Sequence, residues 1–179
     1  LPNADPLDKV SIIPRGMALG MTEQIPEEEH YNLRHGYLRD RIGVMLGGRA
    51  AEKLVFGEVS SGAENDLKQA TRVARHMVTH WGMSERLGPV AFRRGEEHIF
   101  LGREMTQQRD FSEHTARIID DEVRGLLQGI DRQVFDLLHE RRTQLDALAA
   151  ALLQKETLEA HEIVAILAAP EPAQAQDQP

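Results

Sequence analysis

Cysteine is absent from the 179-residue chain. That removes disulfides, thiolate nucleophiles and cysteine-based zinc sites, and it fits a reducing compartment. Aromatic residues make up only 4% of the chain, so a core must be built from Leu, Ile, Val, Ala and Met. Positive charge is in deficit: 21 Lys and Arg stand against 29 Asp and Glu, a net charge of −8. This argues against nucleic acid or an anionic membrane surface as partner, since both need a positive field. No apolar run approaches the roughly 20 residues needed to span a bilayer, and no signal peptide is visible. No glycine-rich phosphate loop and no G-x-S-x-G elbow is present, so nucleotide binding and serine hydrolase chemistry are not expected of this chain alone. Methionine is missing from the first position, where Leu1 is followed by Pro2. The expectation is a chain cut from something longer.

What is there reads as mainly α-helical. Hydrophobic content of 41% and charged content of 28% fit one globular domain or two small helical lobes. Lys9 to Ile13 is β-branched and runs into the turn signal Pro14-Arg15-Gly16. Ala18 to Thr22 is a second short extended segment, and the two predict an N-terminal hairpin or edge strand. Pro26-Glu27-Glu28-Glu29 reads as a helix start. Leu38 to Leu54 places Leu38, Ile42, Met45, Leu46 and Ala50 on one helical face. Gly47-Gly48 within it predicts close backbone packing, because glycine otherwise costs about 1 kcal/mol in a helix. Phe56-Gly57 ends the element.

Ser61 with Glu64 three residues on predicts a capping box. The helix that follows carries Leu67, Ala70, Val73, Ala74, Met77 and Trp81 at three- and four-residue spacing, with Gly82 placed to end it. Gly88 to Gly102 reads as loop with one short strand. A long helix is expected from Ser112 to Arg141, a second over Leu145 to Leu153, and a short one over Thr157 to Ala168. These would form a C-terminal helical lobe. Residues 170–179 are rich in Pro, Gln and Ala and predict a disordered tail after a domain of residues 1–169.

Eight histidines invite a search for metal ligands. An H-E-x-x-H helix puts two imidazoles on one face, where both reach one ion. His139-Glu140 and His161-Glu162 miss the motif, because Thr143 and Ala165 stand where the second histidine belongs. His76 and His80 have the four-residue spacing without the glutamate. They read either as a polar flank of their helix or as a metal pair. Asp66 lies one turn into the same helix, roughly 50° from the centre of the apolar face. It reads either as a first-turn acid favoured by the helix dipole or as a carboxylate turned toward a cleft.

Ser60-Ser61-Gly62-Ala63-Glu64-Asn65-Asp66-Leu67 resembles the T/S-G-A-x-N-D-L segment of the FtsH-type ATP-dependent zinc metalloproteases. Lys9 to Gly16 with Ala18-Leu19-Gly20, Leu46 to Glu52, Met77-Val78 with Trp81 to Ser84, Leu87-Gly88-Pro89 and Phe100 to Arg103 are similar to the same family in the same order. The closing Leu152-Leu153 with Glu156-Thr157-Leu158 fits as well.

The resemblance implies a zinc metalloendopeptidase domain that follows a membrane anchor and an AAA+ module binding ATP and Mg, in a homo-hexamer that degrades membrane and unfolded proteins. It implies the cytoplasmic face of the bacterial inner membrane, or an organellar membrane in a eukaryote. Asp66 falls on the family's distant zinc ligand, and Glu52 on an acid close to the metal that would orient a histidine. Ala18, Leu19, Gly20, Met21 and Thr22 fall on the edge strand over the cleft, where substrate would add as a strand. The family's H-E-x-x-H helix, with two ligands and the general base, lies just before the point matched by Leu1. The chain by itself is therefore expected to be inactive. The alternative is a non-catalytic helical assembly domain that kept the fold.

Overall fold

A computed structural model describes residues 1–14, 20–24, 32–92 and 111–168. The helix start expected at Pro26, the part of the Gly88–Gly102 loop beyond residue 92, the motif at Phe100 to Arg103 and the tail lie outside the described residues, and residues 88–92 hold no strand. The mainly α-helical expectation holds, with five helices and one small sheet among them. None of these helices is long and apolar enough to cross a membrane.

The chain divides into two compact units. The first comprises Leu1–Ala4 and Asn32–Asp136. Helix α1 (His35–Phe56) buries Leu38, Ile42, Gly43, Leu46 and Ala50, a three- and four-residue stripe. Gly57, at φ 74°, closes it and donates its N–H to the Lys53 carbonyl. Helix α2 (Glu64–Thr79) buries Ala70, Ala74, Met77 and Val78. Its end is a Schellman turn: Gly82 takes a φ of 59° and the Met83 N–H reaches back to the Met77 carbonyl at 3.0 Å. Trp81 therefore lies beyond the helix, half exposed, rather than on its apolar stripe. Helix α3 (Glu113–Glu140) contributes Ile119, Val123, Ile130 and Val134 to the core. Polar ties hold α3 to its neighbours: Arg49 of α1 with Asp131 at 2.9 Å, Arg75 of α2 with Asp120 at 3.2 Å, and Ser84, beyond the end of α2, with Glu122 at 2.7 Å.

The glycine that permits close packing is Gly43, not Gly47 or Gly48. A Cβ on Gly43 would lie 3.0 Å from Leu1 Cδ1 and 3.3 Å from Val134 Cγ2. One on Gly47 or Gly48 would meet no described atom within 4 Å. The reason is rotation: Gly43 follows Ile42 on the buried face, whereas Gly48 is exposed.

The second unit comprises the described residues of Asp5–Tyr31 and Leu137–Pro179. The expected hairpin forms, shifted along the chain, from β1 (Leu7–Ser11) and β2 (Met21–Gln24), and Lys9 pairs with Glu23 at 2.8 Å. A third strand, β3 (Thr157–Glu159), completes the order β2-β1-β3. The expected helix over Thr157–Ala168 is thus two elements, β3 and α5 (Ala160–Ala168). Pairing decides this: Leu158, almost fully buried, sits opposite Val10, and Thr157 Oγ1 lies 2.8 Å from Ser11 Oγ. Helix α4 (Arg142–Lys155) stops at Glu156, which adopts φ 61° and turns the chain into β3. Glu162 then accepts from the Glu159 N–H at 3.1 Å and pairs with Lys155, fixing the start of α5.

Candidate metal centre

The segment that carries Asp66 is set by the turn before it. Ser60 enters extended, at φ −102° and ψ 175°, and its hydroxyl accepts from the Gly62 N–H at 3.1 Å. The Ser60 hydroxyl donates to Glu52 Oε1 at 2.7 Å, and the Ser60 N–H donates to Glu52 Oε2 at 3.0 Å. Both carboxylate oxygens of Glu52 are thus committed to one residue. These bonds, backbone first and hydroxyl second, hold the Glu52 carboxyl below its ordinary value. A single 3-10 turn, Ser61–Ala63, follows, and α2 starts at Glu64.

The cap therefore differs from the expected Ser61–Glu64 box. Ser60 is the capping hydroxyl, and the reciprocal acid is Glu52 on α1 rather than Glu64, which pairs with Lys68 one turn on. Ala63, the residue before α2, makes no side-chain cap. Sequence reasoning missed Ser60 because the doublet Ser60-Ser61 offers two hydroxyls. Only the position of Glu52, eight residues earlier, selects between them.

Asp66 occupies the first turn of α2 beside Glu64. It is exposed, and no hydrogen bond or ion pair to a described residue engages its carboxylate. The helix N-terminus favours negative charge at this place. Ala63 and Ala70 are buried on either side, so the turn is anchored while the carboxylate stays free. A carboxylate so placed is a suitable hard-oxygen ligand. It stands alone: among the described residues, no group of three or more His, Cys, Asp or Glu is placed to hold a metal ion. Asp66 thus fits one member of a zinc ligand set. Glu52 and Asp66 flank the same turn, Glu52 by hydrogen bonds before it and Asp66 by position after it.

The expected substrate-binding segment is seen in part. Ala18 and Leu19 lie outside the described residues. Gly20 packs so closely that a Cβ there would lie 2.8 Å from the Ser11 carbonyl oxygen. Met21 and Thr22 open β2, with Thr22 exposed and Met21 half-buried. β2 is an edge strand of the sheet, paired with β1 alone among the described strands. His139, in the last turn of α3, and His161, in the first turn of α5, join no metal-binding group among the described residues.

Residues 1–166 match the model of peptidase family M41. The chain belongs to peptidase family M41. Among relatives of this M41 chain, an ATP-dependent zinc metalloprotease FtsH from Nitrosococcus oceani is 63% identical over 163 residues, covering 91% of the chain and 26% of the relative. A protein of the same name from Marinobacter nauticus is 54% identical, covering 93% of the chain and 26% of the relative. An ATP-dependent zinc metalloprotease FtsH 4 from Sphaerobacter thermophilus is 52% identical, with 94% and 26% covered. The M41 chain spans about a quarter of the length of these curated relatives.

Proposed function

We propose that this chain is the C-terminal portion of an ATP-dependent zinc metalloendopeptidase, in which Asp66 supplies the carboxylate ligand to zinc. The observation that carries the reading is the free, exposed Asp66 carboxylate on a clamped helix start, within a segment matching family M41. The two imidazole ligands and the general base belong to an H-E-x-x-H helix elsewhere in the intact protein, and the chain by itself is inactive. An AAA+ module binding ATP and Mg, a membrane anchor on the cytoplasmic side and a homo-hexameric ring complete the assembly. Membrane proteins and unfolded soluble proteins are the substrates.

What zinc supplies when bound is Lewis acidity toward the scissile carbonyl and the attacking water. The residues of this chain prepare the place. Asp66 brings one negative oxygen ligand, which a dication needs alongside neutral imidazoles. Glu52 positions Asp66 through the Ser60 turn, fixing where α2 begins. The edge of β2 offers backbone N–H and C=O groups to an extended polypeptide, which binds main chain with little regard to side chains.

The test is Asp66→Asn in the intact protein, which keeps the shape and removes the charge. The expected result is loss of stoichiometric zinc and of casein degradation, with ATP hydrolysis retained. Zinc content and proteolysis at the wild-type level would reject the ligand role.

A further inference from the structure

We propose that His76 and His80 form a second metal site, a two-imidazole chelate for a divalent transition ion such as nickel or copper, separate from the Asp66 centre. The two histidines are one helical turn apart, and the His80 N–H donates to the His76 carbonyl at 2.9 Å, so the helical relation persists through His80. Their ring centroids are 4.8 Å apart at an interplanar angle of 60°. A metal held about 2.0–2.1 Å from a ring nitrogen lies about 3.2 Å from that ring's centroid. Two rings bound at about 90–110° then have centroids about 4.5–5.2 Å apart. The observed centroid spacing falls inside that range.

The hydrogen bonds also fix which nitrogen of His80 is free. Thr79 Oγ1 donates its single proton to the Arg75 carbonyl at 2.7 Å. The same oxygen lies 2.7 Å from His80 Nδ1. With its proton spent, the threonine oxygen accepts from Nδ1–H. His80 is therefore the Nδ1–H tautomer, and its Nε2 lone pair is available. An imidazole oriented through its other nitrogen is the usual arrangement of a metal-binding histidine. Burial first, and the neighbouring His76 second, lower the proton affinity of His80, which favours the neutral form a metal requires.

The pair borders a cavity of about 370 Å³, lined also by Lys68, Thr71, Arg72 and Arg75. Two of these cations are already balanced, Lys68 by Glu64 and Arg75 by Asp120. Arg72 has no ion pair with a described residue, and an anion on an open coordination position would balance it. His76 is ten residues beyond Asp66 on α2, about 15 Å along the axis, so one ion cannot serve both.

The chain's only tryptophan reports on the site, because Trp81 has its ring 5.6 Å from that of His76. Titrating nickel or copper ions into the 179-residue chain is expected to quench Trp81 fluorescence with saturation at one equivalent, reversed by EDTA. His76→Gln and His80→Gln should each abolish the saturable phase, and His161→Gln should leave it. Thr79→Val, which removes the tautomer lock, should weaken binding by about tenfold or more. Circular dichroism of each variant verifies the fold. If a variant fails to fold, the metal-induced shift of the wild-type His80 Nε2 nitrogen signal in NMR decides. Quenching that does not saturate, or that survives both histidine variants, overturns the proposal. So does a saturable response to inorganic phosphate with none to nickel or copper, which would make the cavity an anion site.

Discussion

Glu52 holds Ser60 with both carboxylate oxygens, one on its backbone N–H at 3.0 Å and one on its hydroxyl at 2.7 Å. This contact joins the last part of α1 to the turn that opens α2, and so places Asp66. Ordinary helix capping uses a side chain within the turn itself. Here the acid comes from the preceding helix, and the cap and the interhelical tie are one interaction.

Glu52→Gln should therefore loosen the start of α2 without altering the core. The amide puts a donor NH2 where one of the two accepting oxygens stood, so it cannot reproduce the pair of bonds the carboxylate makes. The expected outcome is faster amide exchange at Gly62 and through the first turn of α2, with exchange at Met77 unchanged. The pH dependence carries a sign. The folded carboxyl lies below its ordinary value of 4.5, so its stabilising contribution is fully present above about pH 4.5 and is lost as pH falls through the folded value. Melting curves of wild type and Glu52→Gln should differ above that range and converge below it. A gap that widens in acid would contradict the clamp.

The stripes of α1, α2 and α3 were legible because each helix buries one face against the others, and periodicity encodes that directly. Leu38, Ile42, Leu46 and Ala50 are buried as their spacing predicts, while Met45 is half-buried and Leu67, expected on the α2 stripe, is exposed. Contacts distant in sequence were not legible. Thr157 and Leu158 have nothing local that marks them as strand, and their partners Ser11 and Val10 lie about 150 residues away. The choice of Ser60 over Ser61 likewise depended on Glu52 across a turn. Asp66 is a candidate only through the motif around it, since an exposed first-turn acid has no periodic signature.

The glycines of α1 separate propensity from packing. Gly48 is exposed and a Cβ there meets nothing described, so Gly48→Ala should stabilise the protein by about 0.8–1.0 kcal/mol. Gly43 faces Leu1, Ile130 and Val134, so Gly43→Leu should destabilise it by about 1–3 kcal/mol through overpacking. Denaturant midpoints moving in opposite directions verify the assignment. A stabilising Gly43→Leu would show that the buried face of α1 is misplaced.

Leu158 is the most buried residue of the second unit, 1% exposed and opposite Val10 across β1 and β3. Truncation leaves a void that strands joined at both ends cannot close. Leu158→Ala should cost about 2–5 kcal/mol. Amide exchange should rise at Lys9, Val10 and Ser11. A cost below about 0.5 kcal/mol, the range of surface substitutions, would place Leu158 outside the core.

Gly20 connects the sheet to the proposed activity. A Cβ at this position would lie 2.8 Å from the Ser11 carbonyl oxygen and 3.5 Å from Ile12 Cα. Those are backbone atoms and cannot rotate away, so Gly20→Ala must displace the entry to β2. The register at Ser11 and Met21 is the first pair affected. The amides of Val10 and Met21 should exchange faster, while α1 and α2 remain protected. In the intact protein the substitution should slow casein degradation and leave zinc content unchanged, because Asp66 and the Glu52 clamp are untouched. Loss of zinc together with activity would show that the strand supports the metal site rather than the substrate. Unchanged proteolysis with a displaced strand would remove β2 from the substrate path.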